Sequence, residues 1–236
     1  MLDDYKTQII DSMPVLAKAA LPSTTSLIYS SIKNCINSIR DETKKKELLA
    51  SLELDNKKLE HYSKARPLFK LDDEEKKKAF GKSVRSGISL IEQTKGIEEI
   101  KEEVYFLKQI IQDNAVFEDE LVRETDKKPP KPIKTLVDKD AKLGHKSKDE
   151  VLFGYKHNAS ITENGFITAT ATTTMADKDD EQFAPLIEKQ IEAGLKADKI
   201  KADSGYGNPY NFIEADAMGI ELDAPLRKGK CEDGFN

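Results

Sequence analysis

No stretch of eighteen or more apolar residues occurs in the sequence, so nothing in it reads as a membrane-spanning helix. The opening Met1-Leu2-Asp3-Asp4 is too acidic and too short of apolar residues for a signal peptide, which makes the cytoplasm the expected compartment. Cysteine is nearly absent. Cys35 and Cys231 stand far apart and neither belongs to a CxxC pair, which speaks against a disulfide framework and against a cysteine zinc site. A global basic excess is missing too, since the net charge is −5. The chain is therefore not a protein that is basic all over.

What is present is charge, unevenly spread. Charged residues make up 34% and hydrophobic ones 38% of 236 residues, the composition of a soluble, helix-rich globular protein long enough for a sizeable core. Between 127 and 156 nine lysines (127, 128, 131, 134, 139, 142, 146, 148 and 156) face four acids (138, 140, 149 and 150). Taken alone, such a cluster reads as a solvated linker; a phosphate-binding track is the alternative.

The texture changes along the chain. Residues 5 to 11, YKTQIID, read as a strand ending in Asp11, with Met13-Pro14 breaking the run. From Ser23 to about Phe117 the period is helical. Ile28, Ile32, Cys35, Ile36 and Ile39 form one apolar stripe, and Ile97, Ile100, Val104, Leu107 and Ile111 another. Between them Phe80, Val84, Ile88 and Ile91 share a face behind the acids of LDDEEKKK, which predicts a third helix. The segment ETDKKPPKPIK, 124 to 134, has three prolines and no apolar period, as a linker does.

Beyond it, VLFGYKHNASITENGFITATATTT gives two extended runs around Asn164-Gly165, a strong hairpin signal. Phe183, Leu186, Ile187, Gln190 and Ile191 describe a helix ending near Gly194, and a strand follows over 198 to 203. Asn208 is placed to cap a helix that starts at Pro209, turns Phe212, Ile213 and Met218 inward and ends at Gly219. Ile220, Leu222 and Ala224 alternate as a last strand.

If the first strand joins the later ones, the chain is an α/β protein with a mixed sheet and a helical insertion of about a hundred residues after its first strand, far beyond an ordinary loop. The expected divisions are 1–22 for the first strand, 23–120 for the all-helical insertion, 121–135 for the linker and 136–236 for the remainder of the sheet domain.

Asp11 and Asp203 both end predicted strands. Ligands of open α/β sheets bind in the crevice beyond the carboxyl ends of the strands, so neighbouring strands would bring the two carboxylates to one point. Held together they repel, and a hard divalent cation such as Mg2+ relieves that repulsion. The bland alternative for Asp203 is a carboxylate that only caps the turn SGYG.

Four stretches in this order resemble the insertion-sequence transposases with a DDE catalytic domain of the ribonuclease H-like fold: QIIDSMPVLAKAA (8–20), LVDKDAKLGHKSKDEVLFGYK (136–156), the segment from Asp179 to Leu186, and IKADSGYGNPYNFIEADAMGIELDAPL (200–226). The resemblance implies that Asp11 and Asp203 are the first and second catalytic aspartates and metal ligands, binding Mg2+ or Mn2+ for DNA strand cleavage and transfer. It implies phosphate contact by Lys146, Lys148 and Lys156, DNA as partner, homo-oligomer formation in the full-length family, and location in the cytoplasm at the nucleoid.

The chain departs from the family pattern in three ways. His157 comes one place early, with Asn158 in the usual His position. TTTMADKDDEQF lacks the Pro and Asn usual before the residue matching Asp179. The third acid, a glutamate on a late helix, is expected beyond residue 226, and a DNA-end-binding part is expected before the first strand. The leading reading is thus a truncated, inactive DDE transposase. A non-catalytic DNA-binding or interaction module derived from one is the runner-up, and a hydrolase of the same fold acting on another phosphodiester is the third.

Overall fold

The computed structural model describes residues 5–64, 68–118, 121–127, 129–146 and 149–227. Along the chain it forms β1 (Thr7–Leu16), α1 (Thr24–Ser38), α2 (Glu42–Ser51), α3 (Asn56–Tyr62), α4 (Asp73–Gln93), α5 (Lys101–Asn114), β2 (Ala115–Glu118) and β3 (Leu121–Glu124). Then follow β4 (Lys142–His145), β5 (Val151–Thr162), β6 (Ile167–Thr174), α6 (Phe183–Glu192), β7 (Lys199–Ala202), α7 (Pro209–Ala217) and β8 (Glu221–Asp223). The protein is mixed α/β, and its elements fall into two compact units, Lys18–Asp140 and Met1–Ala17 with Ala141–Asn236. Among the described residues no helix is long and apolar enough to cross a membrane.

The first unit is helical because its apolar residues recur on single helix faces. The α1 stripe of Ile28, Ile32, Cys35 and Ile36 is buried, and Ser23 caps the helix by accepting a hydrogen bond from the Ser26 amide. Asp72 and Glu75 form a reciprocal capping box that starts α4, whose Phe80, Val84 and Leu90 join Leu107, Ile110 and Ile111 of α5 in one core. The β2–β3 hairpin closes this unit, so residues 121–124 of the expected linker are a paired strand. Of the described lysines of the cluster, 127, 131, 134 and 139 belong to this unit, and 142, 146 and 156 to the other.

The second unit is built on a six-stranded sheet. β1 lies at its centre, antiparallel to β5 and parallel to β7, and β8 continues in parallel beyond β7. On its far side β5 pairs with β4 over its first residues and with β6 over the rest. Ile10, Ile200 and Leu222 of the sheet pack with Phe183, Leu186 and Ile187 of α6 and Ala215 of α7. The Asn164-Gly165 turn joins β5 to β6, with Gly165 at φ +85°.

Two sequence expectations change here. β1 does not stop at Asp11: it runs to Leu16, paired with β5 throughout, while β7 accompanies it only as far as Ile10. Past that point β1 has one partner, and a strand edge tolerates the missing N–H of Pro14. On α7 the buried residues are Asn211 and Ala215, and Ile213 is 67% exposed rather than turned inward.

Candidate functional site

Parallel pairing sets the two aspartates side by side. The last register pair between β1 and β7 is Ile10 with Ala202, so Asp11 and Asp203 are the next residue of each chain as the ladder ends. Neighbouring strands run about 4.8 Å apart, and the ladder that sets this spacing ends one residue before the two aspartates. Both aspartates are exposed.

One oxygen of each is already used. Oδ1 of Asp11 accepts from the Ser12 amide at 2.8 Å, and Oδ1 of Asp203 accepts from the Gly205 amide at 2.8 Å. Asp203 therefore does cap its turn, as the bland reading expected. That role occupies one oxygen only, and the described hydrogen bonds leave Oδ2 of both residues without a protein partner. Gly205 is needed for this close approach: a Cβ there would stand 2.8 Å from Asp203 Oδ1.

Behind the pair lies Tyr206, buried to 1% exposure. Its hydroxyl donates to Oδ1 of Asn158 at 3.2 Å, and the Asn158 amide donates in turn to Thr173 Oγ1 at 3.3 Å. Asn158 sits opposite Ser12 of β1, so this network ties the loop that follows Asp203 to the sheet. Burial holds the Tyr206 proton well above the usual phenol range; the carboxylates of Asp179, Asp203 and Asp11 add to this, and a hydrogen bond with Ser12 opposes it. Tyr206 is thus a neutral donor facing three acids.

Asp179 belongs to the same neighbourhood. Its Oδ1 accepts from Lys156 Nζ at 3.0 Å, and the same ammonium donates to the Asp177 carbonyl at 2.8 Å. Lys156, expected as a surface phosphate contact, stands in this ion pair with its side chain 12% exposed. Lys146 is on the surface, 3.7 Å from Glu150, while Lys148 lies outside the described residues. His157, one place before the family's usual position, meets Thr172 Oγ1 through Nδ1 at 3.1 Å.

The donor set suits an ion only in part. Among the described residues no three His, Cys, Asp or Glu side chains come together as a metal-binding group. Two carboxylates, each with an uncommitted oxygen, still match the chemistry of Mg2+, which binds through one or two carboxylates and retains several waters. The Lys156–Asp179 pairing escapes sequence reasoning because it forms across 23 residues and depends on how the chain turns after β6. The acid-rich DKDDE before α6 is the one signal that could have pointed to it. Comparison of the chain with protein-family models, with curated proteins and with solved structures finds no match.

Proposed function

We propose that the sheet unit is the catalytic domain of a DNA transposase of the DDE class, built for metal-dependent chemistry on DNA phosphodiesters. The observation that carries this reading is the register of β1 and β7, which ends at Ile10–Ala202 with Asp11 and Asp203 as adjacent next residues. The strand order β6-β5-β1-β7-β8, antiparallel up to β1 and parallel after it, supports a ribonuclease H-like sheet carrying a helical insertion.

Asp11 and Asp203 would hold Mg2+ or Mn2+ through their uncommitted oxygens. When bound, the ion supplies charge neutralisation at the attacking and leaving oxygens of the phosphodiester. The chain's own residues do the rest. The Gly205 amide fixes one oxygen of Asp203 and so orients the other. Tyr206, kept protonated, closes the floor of the site and denies water a path from behind. Lys146 has a half-exposed side chain whose surface pair with Glu150 is weak enough for a DNA phosphate to replace. DNA ends and target are the partners of this reading, with homo-oligomers in the full-length family and the cytoplasmic nucleoid as location.

A second reading keeps the DNA contact and drops turnover. It is favoured by Asp179, the third acid around Tyr206, whose Oδ1 is taken up by Lys156 Nζ at 3.0 Å instead of being left for an ion. Calorimetric titration with Mn2+ tests the first reading: the chain should bind weakly, and Asp203→Asn should reduce that affinity with an unchanged circular dichroism spectrum. Equal affinity in both proteins would sink the metal-site assignment. Mn2+-dependent nicking of supercoiled DNA that is lost in Asp203→Asn would set the second reading aside.

A further inference from the structure

The side chains of β1 alternate between the two faces of the sheet, and this sorts the neighbours of Asp11. Ile10 lies on the face that packs against α6 and α7, so Asp11 stands on the other face with Ile9, Met13 and Val15. Those three apolar residues are 41%, 53% and 47% exposed, and the face is open along β1. The pairing of β1 with β5 fixes what else stands there. Asp11 is opposite Ala159 and Met13 is opposite His157, which puts His157 on the same face as Asp11 and one diagonal step from it. Diagonal neighbours of an antiparallel pair are about 7–8 Å apart, within reach of an aromatic side chain.

The imidazole is held from one side. Its Nδ1 lies 3.1 Å from the hydroxyl of Thr172, the residue opposite it on β6. Nε2 has no partner among the described hydrogen bonds. With the Thr172 hydroxyl donating to Nδ1, the neutral ring carries its proton on Nε2, and a charged ring carries one there as well, so Nε2 is a donor in both states. The lysines of β7 on this face are already paired: Lys201, beside Ile9, meets Glu163 at 2.7 Å, and Lys199, beside Thr7, meets Glu221 at 2.8 Å and Asp223 at 2.9 Å. His157 forms no metal-binding group with the aspartates, since no three such side chains come together among the described residues. A donor ordered in advance beside a carboxylate pair suits the phosphate that a cation held there would attract.

We propose that His157 is a phosphate-binding residue of the Asp11–Asp203 site, with Nε2 donating to a non-bridging oxygen of the bound DNA phosphodiester. The inference rests on the DNA-processing reading above. It names a contact that the family resemblance does not supply. The position matched to the family's histidine is Asn158, which is buried on the opposite face of the sheet and accepts from Tyr206.

The test is the affinity of the full chain for a short fluorescent DNA duplex in the presence of Mn2+, followed by anisotropy. His157→Phe keeps an aromatic ring that suits a strand and removes the donor. It should weaken binding roughly ten- to a hundredfold, the range for one hydrogen bond to a charged group. His157→Gln, whose amide can still donate, should recover most of that loss. Calorimetric titration should find the Mn2+ affinity of both variants equal to the parent's, because His157 meets the phosphate and not the ion. If His157→Phe does not fold, His157→Ala takes its place with the same expectation. Parent-like DNA binding without the donor, an equal loss in His157→Gln, or a matching fall in Mn2+ affinity overturns the inference alone. No DNA binding by the parent chain overturns the functional reading beneath it.

Discussion

The Tyr206 hydroxyl has three carboxylates near it and almost no access to solvent, so ionising it would place a fourth negative charge in a space that cannot hydrate it. The sign follows directly. A phenol whose folded pKa is raised stabilises the fold fully below its ordinary value of 10.0 and loses that contribution as pH climbs above it. At neutral pH the hydroxyl matters as the donor to Asn158, a side chain with no exposure. Tyr206→Phe leaves Asn158 Oδ1 without that donor inside the sheet, and an orphaned buried acceptor costs roughly 1–3 kcal/mol. Urea unfolding at pH 7 should show a loss in that range. A variant as stable as the parent would mean that water reaches Asn158 and that Tyr206 is not the floor of the site. Mn2+ affinity should change little, since the phenol touches neither uncommitted carboxylate oxygen.

At the scale of elements, α7 depends on the residue that caps it. Asn208 accepts from the Asn211 amide at 2.9 Å and also donates to Asp180 Oδ2 at 3.1 Å, so it caps the helix and anchors it to the turn before α6. Losing an N-cap costs about 1 kcal/mol, and Asn208→Ala should reach the upper part of the ~0.5–2 kcal/mol range because both contacts go. Thermal melts of the variant should show it, and an unchanged midpoint would deny the cap its role. Asn208-Pro209 was legible in the sequence because capping is local chemistry. So were α1, α4 and α5, whose apolar stripes repeat over several turns. By contrast α2 buries only Leu48 and α3 only Leu59, and one apolar residue makes no period. β3 and β4 are four residues each, too short for alternation to stand out, and β3 lies in a stretch that its prolines and lysines mark as linker. The adjacency of Asp11 and Asp203 could be anticipated from the strand-end rule. The continuation of β1 past Asp11 could not, since it depends on β5 being long enough to pair as far as Leu16.

For the molecule as a whole, the helical unit stores a pH limit in its core. Burial, with Glu103 close by, pushes the Cys35 thiol from 9.0 up to about 12, and a backbone hydrogen bond only partly offsets this. Burial, with Tyr62 stacked 5.0 Å away, pushes the Tyr29 phenol from 10.0 up to about 12. In both cases the unfolded chain releases its proton first. The stability these groups contribute is therefore whole below about pH 9 and declines as pH rises toward 12. At ~1.4 kcal/mol per pK unit the two together amount to several kcal/mol, a large part of the ~5–15 kcal/mol that holds a domain folded. The net charge of −5 grows more negative over the same range, and self-repulsion adds to the decline. Cys35→Ala separates the two causes, because it leaves the surface charge alone and removes the thiol. Its urea midpoint should be lower than the parent's at pH 7, from lost packing of a fully buried side chain. Between pH 9 and 10, where the thiol of the unfolded chain, at its ordinary 9.0, ionises ahead of the phenol at 10.0, its midpoint should fall less steeply than the parent's. Parallel curves for parent and variant over that interval would mean that the Cys35 thiol ionises within the folded core, and that the core is wetter than its burial indicates.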